Sequence, residues 1–248
     1  MAGHSHSANI AVRKGKQDAA RAKLFSKLSR YIIIAARAGG GDPDTNLKLR
    51  YAIDKARAVS MPRDNIERAV KRGTGELEGA QMEELVYEGF GPGGTVAIMC
   101  DVLTDNRNRS SGEVRKIFDR AGGNMGGPGS VAYLFDRKGV FIIPAAGTTE
   151  ESLMNVVLEA GAEDLQPVGE NFEVLSDVTA FIAVQAALEK AGIKPERAEI
   201  EQVPKAVVDV DAETGKKVAR LIEMLDEHDD VQNVYTNANL TPEMMSDE

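Results

Sequence analysis

Apolar residues recur with a helical period over residues 17 to 38, where Leu24, Phe25, Leu28, Tyr31, Ile32 and Ala35 share one stripe. Lys23, Lys27, Arg30 and Arg37 gather on the opposite side, so the predicted helix carries a cationic strip. Gly39-Gly40-Gly41 ends it, because glycine accepts the left-handed conformation of a C-terminal cap. Asp42-Pro43-Asp44 reads as a turn, with Asp44 the expected N-cap of a second helix running to about Ala58. Pro62 and Gly73 bracket a third helix whose Ile66, Ala69 and Val70 face inward. Its outer face carries Arg68, Lys71 and Arg72, with Arg63 in the first turn. Residues 1 to 16 show no period and read as a flexible basic arm.

Beyond a linker at 73 to 81 the texture changes to strands alternating with helices. Strands are expected at Thr95 to Leu103, Ser130 to Phe135, Val140 to Pro144, either side of Gly169-Glu170-Asn171, Ala198 to Val203, Ala206 to Asp211 and Val231 to Thr236. Helices are expected at Ser110 to Ala121, Thr149 to Ala160, Thr179 to Ala191 and Gly215 to Glu227. Residues 140 to 203 alone spell βαββαβ, the ferredoxin-like order. The predicted fold is α+β with three domains. Residues 1 to 76 form a basic arm and a three-helix domain, 77 to 138 plus 205 to 248 a discontinuous α/β domain, and 139 to 204 a ferredoxin-like α/β domain inserted in it.

Charge sharpens this division. Residues 1 to 72 hold 16 of the 30 Lys and Arg but 6 of the 39 Asp and Glu, which makes that part about +10 and the rest about −19 within a net −9. Clustered Lys and Arg displace condensed counterions from phosphates, so a basic head on an acidic body points to a polyanion. A solvated basic surface serving only solubility is the plainer alternative. At 42% hydrophobic and 28% charged, the composition is that of a soluble globular protein. No apolar run approaches the ~18 residues of a membrane span, and Ala2 stands where myristoylation needs glycine, so a cytoplasmic protein is expected. The single Cys100 lies in an apolar run and reads as a buried strand thiol.

The segment Gly89 to Gly94 matches G-x-G-x-x-G formally, but it contains a proline and precedes a strand rather than opening a helix; it reads as a rigid turn, not a dinucleotide site. A second cluster, Gly122 to Gly129, fits either a close backbone approach to a ligand or a long loop. His4 and His6 in the arm make a poor metal site, and Asp226, Glu227, Asp229 and Asp230 read as a solvated acidic run. No catalytic constellation, cofactor motif or metal spacing appears, so no enzymatic activity and no cofactor are expected. The segment 104 to 110 is the basic, amide-rich stretch of the acidic half. Placed in a strand-to-helix loop, Arg107 and Arg109 would fork onto phosphates while Asn106 and Asn108 bond bases or backbone. Helix capping by Asn108 or Ser110 is the competing account. With 5% aromatics and no Trp there are few stacking platforms, so contacts would be mainly to phosphate.

Taken in order, MAGHSHSANI, KGKQDAARAKLFSKL, GGGDPDTNLKLRYAIDKA, MPRDNIERAVKRGTGE, YEGFGPGG, LTDNRNRS, GSVAYLF, LEAGAED and DDVQNVYTN closely resemble the YebC/PmpR family over essentially the whole chain. The resemblance implies three domains and a non-enzymatic gene-expression factor. Bacterial members are labelled probable transcriptional regulators that bind DNA. Others, including mitochondrial translational activators of cytochrome oxidase, act in translation, and bacterial relatives are linked to ribosomes stalled on proline-rich sequences. Carried over by position, the family's basic segment falls on Arg13, Lys14, Lys16, Lys23 and Lys27, and its loop motif on Asn106 to Arg109. Two departures stand out: Ser7 where the family usually has tryptophan, and Pro128 where small polar residues are expected.

Two binding readings follow. Either the protein, expected to be a monomer, binds duplex DNA, or its basic domain grips ribosomal or transfer RNA while the acidic domains reach a protein partner. No helix-turn-helix is evident at Gly39 to Asp44, whose connection exceeds the ~3 to 4 residues of such a turn. An acidic body repelled by duplex phosphate would favour RNA; the family label favours DNA.

Overall fold

The computed structural model describes residues 21–79 and 82–245. The arm residues Arg13, Lys14 and Lys16, with His4, His6 and Ser7, lie outside them. No described helix is long and apolar enough to cross a membrane. The chain is α+β, an N-terminal helical region followed by two α/β regions. The described residues divide into two compact units, one running from Arg21 to Val131 with Lys216–Val234, the other Ala132–Gly215 with residues 235–245.

The first unit begins with three helices, α1 (Arg21–Gly39), α2 (Leu47–Ala58) and α3 (Arg63–Gly73). The predicted stripe of α1 is its core side. Leu28, Ile32 and Ala35 are buried, and Leu24, Phe25 and Tyr31 pack against them. Asn46, not Asp44, caps α2: its side chain accepts the amide of Leu49 at 3.1 Å and donates to the carbonyls of Ala35 and Gly40 at 2.7 Å. A buried amide that satisfies three backbone groups outcompetes an exposed carboxylate two residues earlier. The turn into α3 is only residues 59 to 62. Ser60 takes φ +60°, its amide bonds the carbonyl of Arg57, and the amide of Met61 bonds Ala56, both at 2.9 Å. This double-bonded cap satisfies orphan helix carbonyls and drives Met61 into the core. At Gly73 an added Cβ would lie 2.5 Å from the Ile33 carbonyl, so glycine lets α3 approach α1 closely.

The same unit continues with β1 (Glu83–Phe90), β2 (Ala97–Thr104), α4 (Arg107–Arg120) and β3 (Asn124–Met125). The expected strand Ser130 to Phe135 is instead a single 3-10 turn, Ala132–Leu134, leading into β4 (Phe135–Pro144). Strand β1 was not anticipated. It pairs antiparallel with β2 from Glu83↔Thr104 to Phe90↔Ala97 and with β3 at Gly89↔Met125. Residues 91 to 94 make the hairpin turn between β1 and β2, as the glycine-proline segment suggested, and Cys100 is fully buried in β2.

In the second unit β4, α5 (Glu150–Glu159), β5 (Ala162–Val168), β6 (Asn171–Asp177), α6 (Phe181–Lys190) and β7 (Arg197–Pro204) follow the βαββαβ order. The sheet order β5-β6-β4-β7 and its antiparallel ladders are those of a ferredoxin-like fold. Phe141 of β4 stacks on Phe181 of α6 at 4.8 Å between ring centres. Beyond it come β8 (Val208–Asp209) and α7 (Ala212–Asp226), then β9 (Val231–Thr236) and β10 (Ala238–Asn239), which pairs parallel with β8. The part of α7 in the first unit buries Val218, Leu221 and Leu225 completely, and β9 joins β2 in the sheet order β3-β1-β2-β9.

Candidate nucleic-acid interface

The motif at 106 to 109 is a helix start and not a loop. Asn106 is extended at φ −146°, and its side-chain oxygen accepts the Arg109 amide at 3.0 Å, so α4 begins at Arg107, three residues ahead of the expected boundary. Asn106 therefore supplies the cap that was expected of Asn108 or Ser110. The Asn106 amide donates to the Thr104 hydroxyl at 2.9 Å, and the Tyr87 hydroxyl donates to the Arg107 carbonyl at 3.2 Å. Burial pushes the Tyr87 phenol up from its ordinary range, which keeps that donor protonated.

Arg107, Asn108 and Arg109 are all exposed, but Arg109 folds back onto its own molecule. Its Nη2 lies 2.8 Å from Asp230 Oδ2 and 2.9 Å from Asp105 Oδ1. Asp230 Oδ2 also meets the hydroxyls of Ser110 at 2.6 Å and Thr104 at 3.1 Å, while Oδ1 is 3.0 Å from Arg30 Nη2. Asp230 is only 2% exposed, which corrects the expectation of a solvated acidic run at that residue, whereas Glu227 and Asp229 are exposed. Burial alone would raise its pKa. The bonds from Arg109 and Ser110, the charge of Arg30 and the Thr104 hydroxyl outweigh that and hold the carboxyl below its usual range.

The strip on α1 turns the same way. Lys27 Nζ donates to the Asp226 carbonyl at 2.8 Å, Arg30 also donates to the Asp229 carbonyl, and Asn233 donates to the Tyr31 hydroxyl at 2.8 Å. Arg37 reaches the Met82 carbonyl at 2.5 Å. Lys23 lies in the first turns of α1. A crevice of about 510 Å³ beside Asp230 is lined by Arg30, Arg109 and His228 together with Asp105, Glu113, Glu227, Asp229 and Asp230. Five carboxylates against two guanidiniums make it hostile to phosphate.

The outward-facing cations lie elsewhere. On α3, Arg68, Lys71 and Arg72 are exposed and, among the described residues, have no ionic partner; Arg63 is exposed and held to Glu67 at 2.6 Å. Burial of Ile66, Ala69 and Gly73 against α1 fixes which way these side chains point. Arg50 on α2 and Arg115, Lys116 and Arg120 on α4 are exposed cations that the sequence reading passed over. For α4 a signal was present, since positions 108, 112, 115, 116 and 119 fall opposite the buried Ser110, Val114 and Phe118.

Comparison with known proteins agrees with this architecture. A profile of the TACO1/YebC N-terminal domain matches residues 5–76, and one of the TACO1/YebC second and third domains matches residues 82–238. The chain is 52% identical to a "Probable transcriptional regulatory protein" of Shewanella oneidensis over 246 residues, spanning 99% of this chain and 98% of that one. It is 49% identical to a protein of the same description from Geobacter sulfurreducens over 245 residues, spanning 99% and 98%. The crystal structure of a conserved hypothetical protein, Aq1575 from Aquifex aeolicus, superposes with a TM-score of 0.85 at 47% identity, covering 94% of this chain and 96% of that one.

Proposed function

The chain belongs to the TACO1/YebC family, and from that premise we propose that it is a non-enzymatic regulator of gene expression that binds DNA in the cytoplasm through its basic helical region. The observation that carries this reading is the outward face of α3. Arg68, Lys71 and Arg72 project together from a helix whose other side is locked into a core, free of the internal ion pairs that occupy Arg30 and Arg109. Fixed cations of this kind neutralise phosphates without first breaking a bond inside the protein. Exposed Arg50 and Arg107 extend the same capacity, Arg63 adds its charge once it leaves Glu67, Asn108 offers an amide donor, and we count Arg13, Lys14, Lys16 and Lys23 of the N-terminal segment as further basic residues for the polyanion. The names of the relatives, probable transcriptional regulatory proteins, support a role in transcription.

A second reading rests on charge. About −19 outside the first 72 residues opposes close wrapping by a duplex and suits a ribonucleoprotein surface, where acidic α/β regions meet basic protein. Ultraviolet crosslinking in living cells, followed by sequencing of all attached nucleic acid, separates the two. Enriched promoter DNA is the expected result; enriched ribosomal or transfer RNA moves the protein to translation and contradicts the DNA reading.

A further inference from the structure

We infer that α2, the turn at 59 to 62 and α3 constitute a helix-turn-helix whose second helix enters the major groove of duplex DNA. The inference rests on the nucleic-acid reading above and adds to it the element that reads and the groove that is read. The connection tested from sequence, after α1, is too long for this motif. The next one has the required length: Val59, Ser60, Met61 and Pro62 alone separate the 12-residue α2 from the 11-residue α3.

Three features make that turn a fixed corner. Ser60 holds the left-handed conformation that reverses the chain. The amides of Ser60 and Met61 are both bonded back into α2, so the corner has no unsatisfied donor there. Met61, 5% exposed, plugs the core shared with α1. Pro62 then opens α3 with a nitrogen that needs no acceptor. Both helices rest on α1, and Gly73 brings α3 close against the Ile33 carbonyl of α1.

What α3 presents suits the groove. Eleven residues run about 16 Å along the helix axis, and a helix about 10 to 12 Å across fits a groove about 12 Å wide. Arg63 and Arg68 stand where a reading helix meets base edges, and an arginine bidentate to guanine is the commonest such contact. Lys71 and Arg72, a turn further on, stand where phosphates flank the groove. An RNA duplex would not admit the helix, because its major groove is too deep and narrow.

The test uses the full chain. Duplexes are selected from a random-sequence 20-base-pair DNA pool, and the selected duplex is probed with dimethyl sulfate, which attacks guanine N7 in the major groove. The inference expects an enriched motif, protection of at least one guanine N7, and binding at least ~10-fold weaker to an RNA duplex of the same sequence. Arg68→Ala, an exposed substitution, should keep the circular-dichroism spectrum and weaken binding ~10- to 100-fold with relaxed preference at one position. Salt-sensitive binding with neither enrichment nor N7 protection would overturn the helix-turn-helix and leave the nucleic-acid reading standing. Absence of salt-sensitive binding to both duplexes would overturn both.

Discussion

At the scale of single residues, Asp230 joins the start of α4 to α1. A carboxylate removed from water is tolerable only when its charge is matched, and here two guanidiniums and two hydroxyls converge on it. Removing it takes the shared buried counter-charge from Arg30 and Arg109 at once, so Asp230→Ala should cost about 3 kcal/mol in denaturant unfolding. Arg109→Ala should destabilise measurably, whereas exposed Arg107→Ala should stay within about 0.5 kcal/mol. Because the Asp230 pKa is lowered by folding, its contribution is fully present above the ordinary aspartate value of about 4. It is lost as pH falls through the lower folded value. The wild type should therefore lose stability below about pH 4 more steeply than Asp230→Asn, in parallel urea titrations. The sequence made the Asn106 to Arg109 motif conspicuous but not this role. Asp230 lies 120 residues from Ser110 and 200 from Arg30, and no local pattern encodes a partner at that distance.

At the scale of elements, what was legible followed periodicity. The α1 stripe and the βαββαβ order were plain because their apolar positions repeat at one period over whole elements. Strand β1 was hidden because Glu83, Glu84 and Glu88 interrupt it. Glu88 is nevertheless buried, since its carboxylate accepts the amides of Gly129 and Val131 at 2.6 and 2.8 Å. That same capture takes the Val131 amide away from any ladder, which accounts for the 3-10 turn where a strand was expected. The α2–α3 corner was illegible for a related reason: serine at a left-handed position gives no glycine signal. Ser60→Gly removes that strain and should raise stability by about 0.5 to 1 kcal/mol, read as an increased melting temperature. A lower melting temperature would mean that the Ser60 side chain contributes something the backbone geometry does not show.

For the whole molecule, segregated charge was the right first signal and an incomplete one. A sum over residues 1 to 72 cannot tell a cation aimed at solvent from one aimed at its own chain. Lys27, Arg30 and Arg37 bond to carbonyls and, for Arg30, to a buried carboxylate of the sequence-distant half, so they tie the helical region to the sheet of the same unit. The acidic residues around Asp230 answer part of the basic surplus from within. The cations left for a polyanion are fewer and better placed than composition alone suggests, with Arg68, Lys71 and Arg72 at their centre. The most direct measurement is the salt dependence of binding to a DNA duplex by the wild type and by an Arg68→Ala, Lys71→Ala, Arg72→Ala variant. With Lys71 and Arg72 on phosphates and Arg68 at a base edge, the slope of log affinity against log salt should shrink by roughly 2 units. An unchanged slope would place the phosphate contacts elsewhere and contradict the assignment of α3.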